Sequence, residues 1–243
     1  MRRPRVHVEQ RLVSGQRVAL ADSVTARLVS VLRLRDGAPV VLFDGSGHDW
    51  PGVLELSRGS ATVALGEPVL VGNESPLQVT LAQAIARGEK MDLILQKASE
   101  LGVARIVPIV TERTEVRLDA ERRSRRTEHW RRVIVSACEQ SGRARLPMLE
   151  APVELSEFAA EAARSGVRRF ALDPESGGPL SQVPRGEAVV IVVGPEGGLG
   201  DRDRTALRAA GFGALRLGPR ILRTETAGLA ALAALQALAG DFD

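Results

Sequence analysis

The sequence predicts an α/β fold, with a parallel-sheet domain over residues 73–243 preceded by a small β-barrel over residues 1–72. Three observations predict it. From Leu77 onward, strand-like and helix-like stretches alternate, the pattern of a parallel sheet covered by helices. The run Val189–Val193 is β-branched throughout, as expected of a strand buried on both faces. Before residue 72, short apolar runs are instead separated by turn signals at hairpin-like spacing.

The barrel strands are expected at Arg5–Val8, Gln16–Leu20, Pro39–Phe43, Val53–Leu56 and Ala61–Leu65, with one helical stretch from Ser23 to Leu34. Asp36-Gly37, Asp44-Gly45 and Arg58-Gly59 supply the turns. The segment Val71-Gly72-Asn73-Glu74-Ser75-Pro76 reads as a linker. A strand then covers Leu77–Ile85, and Met91, Ile94, Leu95, Ala98 and Leu101 fall on one face of a helix stopped by Gly102. The remaining order is a strand at Arg105–Val110, a basic helix around Asp119–Ser141, a helix near Leu155–Ser165 and a strand at Arg168–Leu172. After the Val189 strand come a helix near Asp201–Ala210, a strand at Leu215–Leu217 and an alanine- and leucine-rich terminal helix.

Composition narrows the function classes. With 243 residues and 44% hydrophobic content, the chain can bury one large core or two smaller ones. A single cysteine, Cys138, rules out an intramolecular disulfide and suits the cytoplasm. Neither an N-terminal signal-type apolar stretch nor an apolar span of roughly 18 residues is visible, so no membrane association is expected. The net charge is only +3, and the pI of 9.9 runs high because the chain has no tyrosine and just two lysines, Lys90 and Lys97. Charge distribution says more: residues 1–35 hold eight arginines against Glu9 and Asp22 (net +6), and residues 36–75 hold six acids against Arg58 (net −5). That segregation suits a face for RNA phosphates, and equally a solvated surface in an arginine-biased chain.

Two glycine-bearing loops carry the chemistry. One is Gly194-Pro195-Glu196-Gly197-Gly198, directly after the Val189 strand. The other lies in LRLGPRILRTETA, Leu215 to Ala227, and runs into the terminal helix. Ligands of parallel sheets bind outside the carboxyl ends of the strands, where both loops belong. Neither contains a nucleotide-binding G-x-x-x-x-G-K-[ST] or a dinucleotide G-x-G-x-x-G. Pro195 has no N–H and Glu196 is an anion, so the first loop is a poor phosphate cradle. A neutral or zwitterionic ligand fits better. Each loop alone also reads as an ordinary tight turn.

Together, GPEGG and LGPRILRTETA resemble the C-terminal signature of the SPOUT methyltransferases, and specifically the ribosomal RNA small subunit methyltransferase E family. RGEKMDLILQKASELGVARIVPIVTERT (Arg87–Thr114), ACEQSGRARLP (Ala137–Pro147) and the opening MRRPRVHV extend the resemblance over nearly the whole chain. It implies a SPOUT-type trefoil-knot domain behind a PUA-like RNA-binding barrel, a homodimer, and S-adenosylmethionine-dependent methylation of a uridine N3 in the decoding region of 16S RNA. The assembled small ribosomal subunit is the expected substrate.

Under that reading, backbone groups around Leu217, Gly218, Ile221 and Leu222 would read an adenine edge, with Leu172 closing the pocket. Gly194, Gly197 and Gly198 would let ribose and the methionine portion approach, and Glu196 would hold a ribose hydroxyl or the ammonium group, or only fix the loop. Methylating N3 needs a proton acceptor, or donors that stabilise charge on the uracil oxygens. Arg223 and Glu225 are the candidates; the competing reading is a helix start, with Thr224 as cap and Glu225 favoured by the dipole. His7, His48 and His129 lie in no matching motif, and no metal is implied. Arg2, Arg3, Arg5, Arg87, Lys97, Arg113 and Arg143 are candidate RNA contacts, whereas Arg122, Arg123, Arg125 and Arg126 read as a solvated helix face.

The loops depart from the family pattern in places. After GPEGG a small hydroxyl residue and then a glutamate are expected, where Gly200 and Asp203 stand; Asp201 is the expected cap of the next helix. Two other readings remain: a ribose 2′-O methyltransferase of the same superfamily, and a non-catalytic RNA-binding or ribosome-assembly protein.

Overall fold

The structure is a computed structural model that describes residues 3–115, 119–180, 183 and 188–242. The chain divides into two compact units, one comprising Met1–Glu74 with Cys138–Leu146, the other Ser75–Ala137 with Pro147–Asp243. The ACEQSGRARLP segment, read from sequence as part of the C-terminal domain, therefore contributes most of its length to the first unit.

The first unit is built on strands β1 (Arg5–His7), β2 (Arg17–Ala19), β3 (Pro39–Phe43), β4 (His48–Ser57), β5 (Ser60–Leu65) and β6 (Val69–Leu70). Their order is β1-β3-β4-β5-β2, with β6 also on β4; β1 runs parallel to β3 and the other pairs are antiparallel. Val6, Val18, Leu28, Val40, Leu42, Trp50, Leu54 and Val63 fill the interior. The single helix expected from Ser23 to Leu34 is a short α1 (Asp22–Ala26) that widens into a π-type turn over Arg27–Val31. β4 starts five residues earlier than the Val53 expected from sequence. Pro51-Gly52 lies inside the strand because Gly52 lets β5 approach: a Cβ there would meet Val63 Cγ1 at 2.5 Å and the Ala64 carbonyl at 2.8 Å.

In the second unit, β7 (Gln78–Ala84), α2 (Lys90–Glu100), β8 (Arg105–Val110) and α3 (Ala120–Ser141, counted with the first unit from Cys138) come first. Two short strands, β9 (Met148–Leu149) and β10 (Val153–Glu154), lead to α4 (Leu155–Ala163), β11 (Arg168–Leu172) and β12 (Gly178–Pro179). β13 (Ala188–Val193), α5 (Asp201–Ala209), β14 (Gly213–Arg216) and α6 (Thr224–Ala239) complete it. The sheet has the order β10-β8-β7-β13-β11-β14-β12, with β9 on β8, and every pair is parallel.

The β-branched run explains its central place. Val190 and Val192 face a core shared with Phe158 of α4 and Leu207 of α5. Val193 faces the opposite layer, where Gly228 of α6 sits against it, and α2 packs on α6. Burying both faces requires apolar residues at every position, which is what the sequence supplies. The sheet thus delivers the ends of β7, β13, β11 and β14 side by side, and the loops that follow them build the site.

Candidate functional site

A cavity of about 520 Å³ opens at those strand ends, within the size range of small-molecule sites. Its wall combines the loop after β13 (Gly194–Leu199), Leu215–Leu217 with Arg220–Thr224, and Leu172–Glu175 after β11. Leu172, Val193, Leu199, Leu215, Leu217, Ile221 and Leu222 give it apolar surface. Among the described residues, six basic side chains (Lys90, Arg113, Arg204, Arg216, Arg220, Arg223) outnumber three acidic ones (Asp173, Glu175, Glu196) along the lining.

Each loop has its own support. In the first, the Gly198 N–H donates to the Pro195 carbonyl at 2.9 Å and Gly198 takes φ of 71°, a conformation that favours glycine. Arg113 Nη1 donates to the Gly197 carbonyl at 2.8 Å. Where the loop enters α5, the expected cap Asp201 is not the one used. Gly200 is the cap residue, and Asp203 reaches back to accept its N–H at 3.0 Å. The Glu112 carboxylate occupies the space a Gly200 side chain would need and accepts the Arg202 N–H at 3.1 Å.

Past β11, the buried Asp173 carboxylate organises the turn, accepting the N–H groups of Glu175 and Ser176, the Ser176 hydroxyl and the Arg204 guanidinium. Burial pushes its pKa up, but those donors outweigh burial and hold it below the usual carboxylate range. Arg204 also donates to the Leu199 carbonyl and so ties this turn to the glycine loop.

At the start of α6, Arg223 is the cap residue and its carbonyl accepts the N–H groups of Thr226 and Ala227. Its side chain is exposed and lines the cavity. The Thr224 hydroxyl is not a cap: it donates to the Gly194 carbonyl at 2.7 Å. Lys90 Nζ lies 3.1 Å from Glu196 Oε1 and 3.6 Å from Glu225 Oε2. Burial opposes ionisation of Glu196, but its own backbone N–H, Lys90 and the Arg87 N–H lower its pKa overall.

A family model described as RNA methyltransferase domain matches residues 73–236, and one described as RNA methyltransferase PUA domain matches residues 28–65. Ribosomal RNA small subunit methyltransferase E of Synechocystis sp. is 35% identical over 91% of this chain and 73% of its own length. The chain belongs to the ribosomal RNA small subunit methyltransferase E family. The Neisseria gonorrhoeae member, crystallised with S-adenosyl methionine, superposes with a TM-score of 0.92 at 37% identity over the full length of both chains. A Legionella pneumophila methyltransferase solved with its cofactor SAM gives 0.94 at 36% identity, also over both full lengths. The parallel sheet and N-terminal barrel are thus those of a SPOUT methyltransferase with a PUA-like domain.

Within this family fold, the structure brings Leu172, Gly194, Glu196, Gly197, Gly198, Leu217, Ile221, Leu222 and Arg223 to one cavity. Gly218 lines an adjoining cavity against α6 instead, with Pro179, Thr226 and Ala230. Glu225 is not a lining residue; it stands behind Lys90 with its side chain 14% exposed. Sequence reasoning missed Lys90, Asp173 and Arg204 as site residues. Lys90 carried one signal, being one of two lysines in an arginine-rich chain.

The basic residues proposed for RNA separate into two groups. Arg3, Arg87 and Arg113 are exposed, and Lys97 is part-exposed and pairs with Glu100 at 2.8 Å. Arg5 and Arg143 are not open to a phosphate. The Arg5 side chain bonds Asp49 and the carbonyls of Cys138 and Arg143, and Arg143 bonds Glu74. They are 5% and 7% exposed, because a buried guanidinium needs partners that compensate its lost hydration. Arg2 lies outside the described residues.

Proposed function

We propose that this chain transfers a methyl group from S-adenosylmethionine to ribosomal RNA, at N3 of a uridine in the decoding region of 16S RNA. The observation that carries this reading is the cavity that both glycine-bearing loops line, in a chain whose relatives hold the cofactor. The lining fits such a ligand: apolar faces for a purine, glycines that leave room for close approach, and an ionised Glu196 for a hydroxyl or an ammonium group.

S-adenosylmethionine, when bound, supplies an electrophilic methyl group on a positively charged sulfur. The work of the protein is then alignment and charge. Leu217, Ile221 and Leu222 bind the adenine, with Gly218 giving their loop its bend, and Leu172 closes the opposite side. Gly194, Gly197 and Gly198 leave space for the ribose and methionine portions. Arg223 stabilises negative charge on a uracil oxygen as N3 gives up its proton. Glu225, which does not line the cavity, acts only through Lys90, which it helps to hold in place. Arg3, Arg87, Lys97 and Arg113 take RNA phosphates, and Arg2 is assigned with them from its sequence position alone. The enzyme works in the cytoplasm as a homodimer and prefers the assembled small subunit.

The test is methyl transfer from labelled S-adenosylmethionine to small subunits from cells lacking the gene, with the product nucleoside identified by mass spectrometry. N3-methyluridine at one site is the expected result. A ribose-methylated product would refute the base assignment, and equal labelling of protein-free 16S RNA would refute the preference for the assembled subunit.

A further inference from the structure

Behind the cavity wall runs a buried polar chain that the methyl-transfer chemistry does not use. Gln83, next to last in β7, is fully buried. Its Nε2 donates to the Ala84 carbonyl at 3.1 Å and to the Thr224 hydroxyl at 3.0 Å. Thr224 in turn sits 2.7 Å from the Gly194 carbonyl.

The acceptors at the two ends fix the direction of every proton. A carbonyl only accepts, so the Ala84 oxygen turns the Gln83 amide with its nitrogen inward. That nitrogen also faces Thr224, whose oxygen accepts, leaving the Thr224 proton for Gly194. The β7–β13 ladder ends at Gln83 and Val193, and Pro195 just beyond has no N–H with which to extend it. Side chains take over the link between the two strands where β13 passes into its loop.

This arrangement carries a cost. Gln83 Oε1 is buried with no hydrogen-bond partner among the described residues, against Gly228 of α6. A leucine of similar size would remove that orphan acceptor but also the donor that Ala84 and Thr224 share, so its two effects on stability oppose each other. What glutamine supplies and leucine lacks is a nitrogen with two protons, one for each neighbour.

We infer that Gln83 and Thr224 are positioning residues that set the spacing of the two cavity loops, and through it the affinity for the cofactor. This rests on the proposed reading of the cavity as the S-adenosylmethionine site. One hydroxyl joins both walls, since Thr224 follows Arg223 directly and Gly194 opens the other loop.

The experiment measures S-adenosylmethionine binding to the full chain by calorimetry, beside thermal unfolding of the cofactor-free protein, for wild type, Thr224→Val, Thr224→Ser and Gln83→Leu. Valine keeps the shape of threonine and removes both hydrogen bonds; serine keeps the hydroxyl. Thr224→Val is expected to bind about tenfold more weakly and Thr224→Ser within threefold of wild type. Gln83→Leu is expected to bind at least fivefold more weakly with at most a small change in melting temperature, because the lost donor and the removed orphan acceptor offset each other. In turnover, both weakened variants raise KM for the cofactor while kcat at saturation stays within twofold. If wild type binds and Gln83→Leu matches it within twofold, or if serine fails to restore what valine loses, the positioning role is wrong and the cavity reading stands. If wild type itself does not bind, the cavity reading fails first. Should Thr224→Val not fold, Gln83→Leu and Thr224→Ser still decide.

Discussion

The buried arginines of the first unit and the exposed arginines of the cavity are used in opposite ways. In the barrel, Arg5 lies 4.5 Å above the Phe43 ring with its donors taken by Asp49 and two carbonyls, and Arg143 is paired with Glu74. Around the cavity, Arg216, Arg220 and Arg223 are exposed and line the wall. The residue type is the same and the sequence charge is the same. Desolvation separates them: a buried cation persists only with fixed partners, while a wet one keeps its donors available for exchange. A positive N-terminal segment therefore says less about RNA than its net charge suggests, because part of that charge holds the barrel together.

The comparison breaks most visibly at Arg223. Arg223→Ala is expected to lower turnover about 100- to 1000-fold, or about 3–4 kcal/mol of transition-state stabilisation, in line with loss of one preorganised donor. Its unfolding transition should not move, since the side chain is exposed. Single-turnover methyl transfer at saturating cofactor measures it; a variant within threefold of wild type would remove Arg223 from the chemistry.

Arg143→Ala should behave in the reverse manner. It leaves Glu74 without its partner, and breaking such a pair costs about 3 kcal/mol, at the lower end because Glu74 remains partly wet. Urea unfolding followed through the buried Trp50, in a Trp130→Phe background, reports on this unit. An unshifted midpoint would return Arg143 to the pool of RNA ligands.

Asp173 sharpens the contrast from the acid side, since here it is a carboxylate that has gathered fixed donors. Its pKa in the folded protein is depressed, so its contribution is complete above the ordinary carboxylate range and is lost as pH falls through the folded value. Asp173→Asn is expected to cost about 2 kcal/mol at neutral pH, the scale of hydrogen bonds to a charged group. The gap between wild type and variant should narrow on acidification. A gap that widens as pH falls would contradict the assignment.

Much of this was legible in the sequence for a physical reason. Strands buried on both faces must be apolar throughout, so Val189–Val193 announced β13 and the loop after it. The resemblance then named the residues that two loops place together. Lys90, Asp173 and Arg204 were not legible, because they reach the cavity through the order β7-β13-β11-β14, and no periodicity encodes which strands become neighbours. The cap of α5 was misread on similar grounds. Asp201 had the right type and place, but Gly200 leaves a space that Glu112, far away in sequence, fills. Pro51-Gly52 sits inside β4 because of what Gly52 must admit from β5, a demand of the partner strand and not of the local sequence.

The smallest effect is expected on α3, at Arg125. Its guanidinium pairs with Glu121 one turn earlier, an i,i+4 pair with side chains 77% and 73% exposed. Water solvates both groups in the folded and unfolded states alike, and salt screens what attraction remains. Arg125→Ala should change stability by about 0.5 kcal/mol or less, since alanine is the better helix former and offsets the lost pair. Activity on small subunits decides whether this arginine belongs with those of the barrel or those of the cavity. If Arg125→Ala leaves both stability and KM for the subunit unchanged, it belongs with neither and is solvated surface, as its acidic neighbours Glu121 and Glu128 suggest. A rise in KM that steepens with added salt would instead move the basic run of α3 into the RNA-binding face.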